Sequence, residues 1–229
     1  MHEEYLELDH ICIWVSPDAP EKEALVKSGF KLDEEVNFHH GQGTASITFS
    51  FENAYIELVW VTDEEIVART GQAINTNLLA RAHWTDTGAC PFGIALRRKN
   101  GSTAALPFAV RSFHAEWMRA NDTVLYAESG SDLSTPLIFV IPPAMDWAAA
   151  VEGDANLYDS ISHPIGSRQL TLTQVTIANT KSDVEALGTP TNALQFEVGS
   201  APLVSLTLDD GRQRQAISFE PTLPLKIHL

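Results

Sequence analysis

Residues 54–61 (AYIELVWV) constrain this chain more than any other segment. The run is rich in β-formers and apolar on both faces, so it reads as a strand buried on both sides. Glu57 sits in its middle. A carboxylate there is costly unless it is paired or bound to a cation. Residues 6–15 (LELDHICIWV) pose the same problem. Leu8, His10, Cys12 and Trp14 fall on one face of this strand, and Ile11, Ile13 and Val15 on the other. His10 is thus a second lone polar group in an apolar strand. A divalent ion explains both, because neutral imidazole and carboxylate are good ligands for zinc, iron, manganese or nickel. The alternatives are an ion pair between Glu57 and an arginine such as Arg97 or Arg168, and a core histidine bonded to backbone at His10.

The rest of the first third completes a unit. Residues 16–29 form a short helix, with Asp18 as its cap, Pro20 in the first turn and Gly29 as its stop. Residues 30–38 are a weaker strand, 39–43 (HHGQG) a turn and 44–51 (TASITFSF) a strand. The order is βαβββ. Residues 63–84 read as one helix. Residues 91–97 and 136–141 are short strands, and 111–118 (RSFHAEWM) fits strand or helix. Near Thr171 the pattern returns. Residues 170–177, 193–198, 202–208 and 215–220 are strands, with a short helix at 181–187. A local pairing of residues 8–13 with 172–177 sets His10 against Gln174 and suggests a diverged internal repeat.

The chain has 229 residues and a formal charge of −15. Such a balance disfavours duplex DNA and anionic membranes as partners. Two cysteines are too few for a disulfide framework, and residues 1–7 lack the basic and apolar regions of a signal peptide. No apolar stretch is long enough to span a bilayer. These features lead us to expect a cytoplasmic protein. Dinucleotide-binding, Walker-type, HExxH, CxxC and GxSxG motifs are absent.

The segments LDHICIWVSPDA, HHGQGTASITF, NAYIELVWV and HPIGSRQLTLTQVTIAN together resemble the glyoxalase-like branch of the vicinal oxygen chelate superfamily. The resemblance implies an α+β fold in which paired βαβββ modules form a curved, mostly antiparallel sheet around a cup-shaped cavity. Residues 1–62 and 161–229 would be the two modules of one compact domain, and residues 63–160 an elaboration covering the cavity. It also implies a divalent metal held by His10 and Glu57, with Gln174 at the first-strand position of the second module. The last strand of that module offers Glu220 or, on the same face, Ser218. A homodimer is the assembly common in the superfamily.

His40 and His163 lie in turns that the resemblance places near the cup, where either suits proton transfer. Trp14, Tyr55, Arg111, His114 and Trp117 are expected to contact substrate, Arg111 by pairing with a carboxylate. The implied function is a metal-dependent enzyme that chelates adjacent oxygens of a small organic substrate, by lyase, isomerase, hydrolase or dioxygenase chemistry. The alternative is a non-catalytic protein that sequesters a small aromatic compound against walls such as Trp14, Tyr55, Trp60, Phe92 and Trp117.

Overall fold

The computed structural model describes residues 4–178, 184 and 193–229. Its first strand, β1 (Leu6–Trp14), is buried throughout except at Glu7. The chain continues through helix α1 (Lys22–Lys27), then β2 (Asn37–His39), β3 (Thr44–Ser50) and β4 (Tyr55–Val61). β4 returns beside β1 in parallel, pairing Cys12 with Glu57. β3 and β2 follow outward as antiparallel neighbours. This is the expected βαβββ order.

Local chemistry sets two departures. Asp18 does not cap α1. It lies at φ 63° in a left-handed turn, and α1 has no side-chain cap. The expected strand over residues 30–38 shrinks to β2. Upstream of it, the Asp33 carboxylate accepts from the Thr48 and Ser50 hydroxyls at 2.6 Å each, and beside a single backbone bond from Asp33 N to the Thr48 carbonyl these side-chain bonds hold the segment to β3. The turn after β2 depends on Gly43, at φ +79°. Its carbonyl accepts from Thr62 and Asp63, and a Cβ there would stand 2.6 Å from the Asp63 carbonyl oxygen.

The middle third both lines the cavity, through residues such as Leu78, Trp117 and Trp147, and adds strands to the main sheet. It contains β5 (Phe92–Arg98), β6 (Val110–Phe113), β7 (Val124–Ala127) and β8 (Leu137–Val140). Within the eight-stranded sheet the order is β2-β3-β4-β1-β5-β8-β7-β6. β5 pairs antiparallel with β1, and β8 lies parallel to β5 just as β4 lies parallel to β1. The second half of the main sheet is therefore residues 92–140. A short 3-10 turn, Lys99–Gly101, and an extended loop take the place of its helix. The result is an α+β protein with a curled, mostly antiparallel sheet.

The segment expected as one helix at 63–84 is three: α2 (Glu64–Ala73), α3 (Leu78–Ala82) and α4 (Trp84–Thr87). The break falls at Asn75, at φ 56°, and at Asn77, whose side chain accepts from Ala80 N and starts α3. Residues 147–153 form a further helix, α5 (Trp147–Gly153), capped by Asp146.

The C-terminal quarter builds a separate five-stranded sheet from β9 (Leu170–Ile177), β10 (Leu194–Val198), β11 (Leu203–Leu208), β12 (Ala216–Ser218) and β13 (Leu225–His228). Its order is β10-β9-β11-β13-β12. The helix expected over 181–187 lies, apart from Val184, outside the described residues. One continuous apolar core joins the two sheets, from Ile11, Ile13, Ile56 and Leu58 to Val175, Val204 and Ile227. Among the described residues no helix is long and apolar enough to cross a membrane.

Candidate active site

A bulge in β1 aims the site. Leu8 pairs with Leu96, but His10 pairs with Ala95, so β1 takes two steps where β5 takes one. Strict alternation fails at this point. Leu8 joins the core with Ile11 and Ile13, whereas His10, Cys12 and Trp14 face a cavity of about 1020 Å³ on the other side of the sheet. Tyr55, Glu57 and Val59 of β4 line the same cavity.

Four donors meet there. His10 Nε2 lies 3.7 Å from Glu57 Oε2, and His39 Nε2 lies 3.6 Å from Glu57 Oε1. The Cys12 thiol donates to Glu57 Oε2 at 2.9 Å. Atoms of His10, Cys12 and Glu57 all fall within 4.8 Å of one another, and all three residues are buried. The nitrogen–oxygen gaps are too long for hydrogen bonds. They fit the edges of a small coordination polyhedron, because ligands about 2.0–2.3 Å from a tetrahedral ion stand roughly 3.3–3.8 Å apart.

A second layer fixes both imidazoles. Asp9, fully buried at the bulge, takes His10 Nδ1 at 2.7 Å and is itself held by the Trp147 backbone N–H. This leaves His10 Nε2 turned toward Glu57. Thr44 Oγ1 lies 2.9 Å from His39 Nδ1 and orients that ring likewise. Tyr55 stacks on His10 with ring centroids 4.2 Å apart.

The charge state follows from surroundings. Burial would raise the Glu57 carboxyl, but the His10 and His39 imidazoles, with the Cys12 thiol and Ser46 hydroxyl, outweigh it and hold the group below its ordinary value. Burial lowers His39, against the pull of Glu57. Burial and the neighbouring Glu57 push the Cys12 thiol well up. At neutral pH the cluster is a carboxylate, a neutral His39 and a thiol.

Neither arginine weighed as a partner reaches Glu57. Arg97 binds Glu7, Asp9 and Asp146, and donates to the Leu8 and Asn53 carbonyls. Arg168 binds Glu52. The buried acid is met by two imidazoles and a thiol instead.

The donors all come from the first half of the sheet. The second half turns Gly93, Leu137, Phe139, Val124 and Tyr126 to the same cavity. Gly93 pairs with Cys12, and a Cβ there would stand 3.0 Å from the Cys12 Cβ, so its bareness leaves the thiol room.

Other expected site residues are placed as follows. Trp14, Tyr55 and Trp117 line the cavity. His40 reaches its exposed mouth, where it stacks on Phe38. Gln174 is not brought to the cluster, because it lies on β9 of the smaller sheet, where its amide donates to Glu197 at 3.2 Å. Ser218 and Glu220 are exposed at the end of that sheet. His163 is a core brace, its Nδ1 accepting from Lys31 N and its Nε2 lying 2.9 Å from the Ser50 carbonyl oxygen. Arg111 is exposed and pairs loosely with Glu128, and His114 is exposed beside the Asp122 carbonyl. Neither lines the cavity. Trp60 and Phe92 belong to the core on the opposite face. Sequence reasoning missed Cys12 and His39 as site residues. Cys12 shares a strand face with His10, which was a usable signal. His39 directly precedes His40, and one step along the chain at the end of β2 reverses the face.

Acid should weaken the fold through two of these imidazoles. His39 and His163 are both lowered, chiefly by burial. The folded protein prefers them neutral, whereas the unfolded chain protonates them near pH 6.5. Their contribution is thus present above about pH 6.5 and is lost as pH falls. The urea midpoint should drop between pH 7 and pH 5, and drop less in His163→Gln. An equal drop in the variant would exclude His163 as a source.

The family model for the Glyoxalase-like domain matches residues 8–188. A crystal structure of a hypothetical protein from Staphylococcus aureus aligns over 97% of this chain and 98% of its own, with TM-score 0.64 and 14% identity, a likeness of fold. Methylmalonyl-CoA epimerase from Mycobacterium tuberculosis aligns over 62% of this chain and 91% of its own, with TM-score 0.39 and 20% identity. No curated protein sequence matches the chain.

Proposed function

The chain belongs to the glyoxalase-like domain family, and from that premise we propose that it is a divalent-metal-dependent enzyme acting on a small organic substrate. The observation that carries this reading is the buried Glu57 carboxylate, met by His10, Cys12 and His39 at the edge of a large cavity rather than by an arginine. His10, Cys12 and Glu57 would hold the ion. A nitrogen, a sulfur and an oxygen donor favour a borderline metal such as zinc, iron or cobalt over magnesium. Three protein ligands leave positions open, and the bound ion supplies a Lewis acid for adjacent substrate oxygens.

The chain's own residues do the rest. Asp9 keeps His10 Nε2 aimed at the cluster. His39, neutral through burial and oriented by Thr44, is the group placed to accept a proton from substrate at Nε2, in preference to His40 at the mouth. The apolar second half of the sheet excludes water from the reacting end. A second reading, a sequestering protein, draws support from that same wall, and the following test separates the two.

Purified protein should carry about one equivalent of a divalent transition metal. Chelated and reloaded with cobalt, it should show a near-ultraviolet sulfur-to-cobalt absorption that Cys12→Ala abolishes. Uptake must expel the thiol proton, so affinity should rise with pH. Protein that neither carries nor takes up zinc, iron, cobalt, nickel or manganese would sink the enzyme reading and leave the sequestering one.

A further inference from the structure

The cavity carries a charge pattern that selects among substrates. Exposed Glu34, Glu35 and Asp159 line the cavity, as does the partly buried Asp33, whose carboxylate is held by Thr48 and Ser50. Among the described lining residues the basic side chains other than histidine reduce to Lys31, and its ammonium is tied to the Asp159 carboxylate and main-chain carbonyl. Among the described residues no arginine lines it: Arg97 is engaged with Asp9, and Arg111 lies outside. If an ion binds as proposed above, the Glu57 carboxylate and the Cys12 thiolate balance its two charges, so the inner end gains no net positive charge to attract an anion.

The opposite wall is apolar and aromatic. Tyr126 and Phe139 pack with ring centroids 5.2 Å apart, and Trp14, Val124 and Leu137 extend the surface. Burial pushes the Tyr126 phenol well up, so this wall stays uncharged. Trp117, which also lines the cavity, has a buried indole N–H without an acceptor. Acidic lining and flat apolar wall point to one class of guest.

We propose that the cavity takes an uncharged or cationic compound built on an aromatic or similarly flat apolar ring, and that it excludes carboxylates, phosphates and other anions. The position of the guest rests on the site reading above, but the selectivity does not require that a metal be bound. The chain's net charge of −15 acts in the same direction, since the field at an acidic mouth repels anions before contact.

Three benzene derivatives of nearly equal shape test this: benzamide, benzylamine and benzoate. Each is titrated into the full chain as purified, at low ionic strength, with tryptophan emission and calorimetry as readouts. Trp14, Trp117 and Trp147 line the cavity and should report occupancy. Benzamide or benzylamine should bind at least about ten-fold more tightly than benzoate, with the benzylamine–benzoate gap narrowing as salt is added. Glu34 and Glu35 are exposed, so a Glu34→Lys/Glu35→Lys variant should fold and should gain affinity for benzoate. Benzoate binding as tightly as the other two overturns the proposal, and so does the absence of saturable binding by all three. A protein that takes up cobalt with the thiolate band yet prefers benzoate refutes this selectivity while leaving the metal reading intact. Loss of the metal with retained selectivity does the reverse.

Discussion

Glu57→Gln should abolish uptake of the proposed divalent ion while leaving the protein folded. The amide fills the same space, and its oxygen can still accept from the Cys12 thiol that now donates to the carboxylate at 2.9 Å. What disappears is the negative charge between two imidazoles. Loss of an outer-shell partner alone lowers metal affinity about 10–100-fold, so loss of the ligand itself should cost at least about 100-fold. The fold should change by no more than about 1–2 kcal/mol, the scale of one altered hydrogen bond. Metal titration and urea unfolding of the same variant provide the two readouts. If Glu57→Gln unfolds at much lower urea and still binds metal with wild-type affinity, the acid is a structural pairing group and the metal reading fails at its centre.

Arg81→Met should cost far more stability than Glu57→Gln, although Arg81 does not line the cavity. Arg81 is fully buried on α3. Its Nη1 donates to the carbonyls of Cys90 and Thr135 at 3.1 and 2.7 Å, and its Nη2 to those of Gly130 and Asp132 at 3.1 and 2.8 Å. The guanidinium thereby fastens α3 to the chain entering β5 and to the loop entering β8, the two inner strands of the apolar wall. Methionine keeps most of the volume and removes every donor. Leaving buried carbonyls unmet costs about 1–3 kcal/mol each, and removal of a desolvated charge returns part of that. A net loss of about 3–5 kcal/mol follows, or a fall of about 10 °C in Tm for a chain of this size. Lysine, a single ammonium on a flexible stem, should recover less than half. A loss under about 1 kcal/mol in urea unfolding would mean that the carbonyls find other partners.

The sequence made some of this visible and hid the rest for definite reasons. β1, β3 and β4 were legible because each is long and apolar, and the βαβββ order followed from them. The odd polar residues His10 and Glu57 stood out for the same reason, and the fold turns both toward one cavity. β8 matches the strand expected over residues 136–141, but β6 and β7 are four residues each and set apart by long loops, so their periodicity is too short to read. The pattern therefore points to residues 161–229 for the second half of the main sheet. There β9 does resemble β1 in role, each being a central strand with a parallel neighbour on one side and an antiparallel one on the other. The likeness of residues 8–13 to 172–177 is a likeness of position in two different sheets, so a ligand carried from His10 to Gln174 lands away from the cavity. The bulge at Asp9 left no mark in the hydrophobic pattern, and with it went the placement of Leu8 and the role of Asp9 in orienting His10.

The smaller sheet repeats the larger one's ground plan. β9 and β11 run antiparallel at its centre, as β1 and β5 do, and β10 and β13 flank them in parallel, as β4 and β8 do. Beyond those four, the described residues add one short strand, β12, where the larger sheet adds four. A vessel needs tall sides, and that extra strand pairs over three residues. One chain thus carries the same seam at two scales, and the height of the flanking hairpins decides which copy encloses a space and which serves only as a buttress.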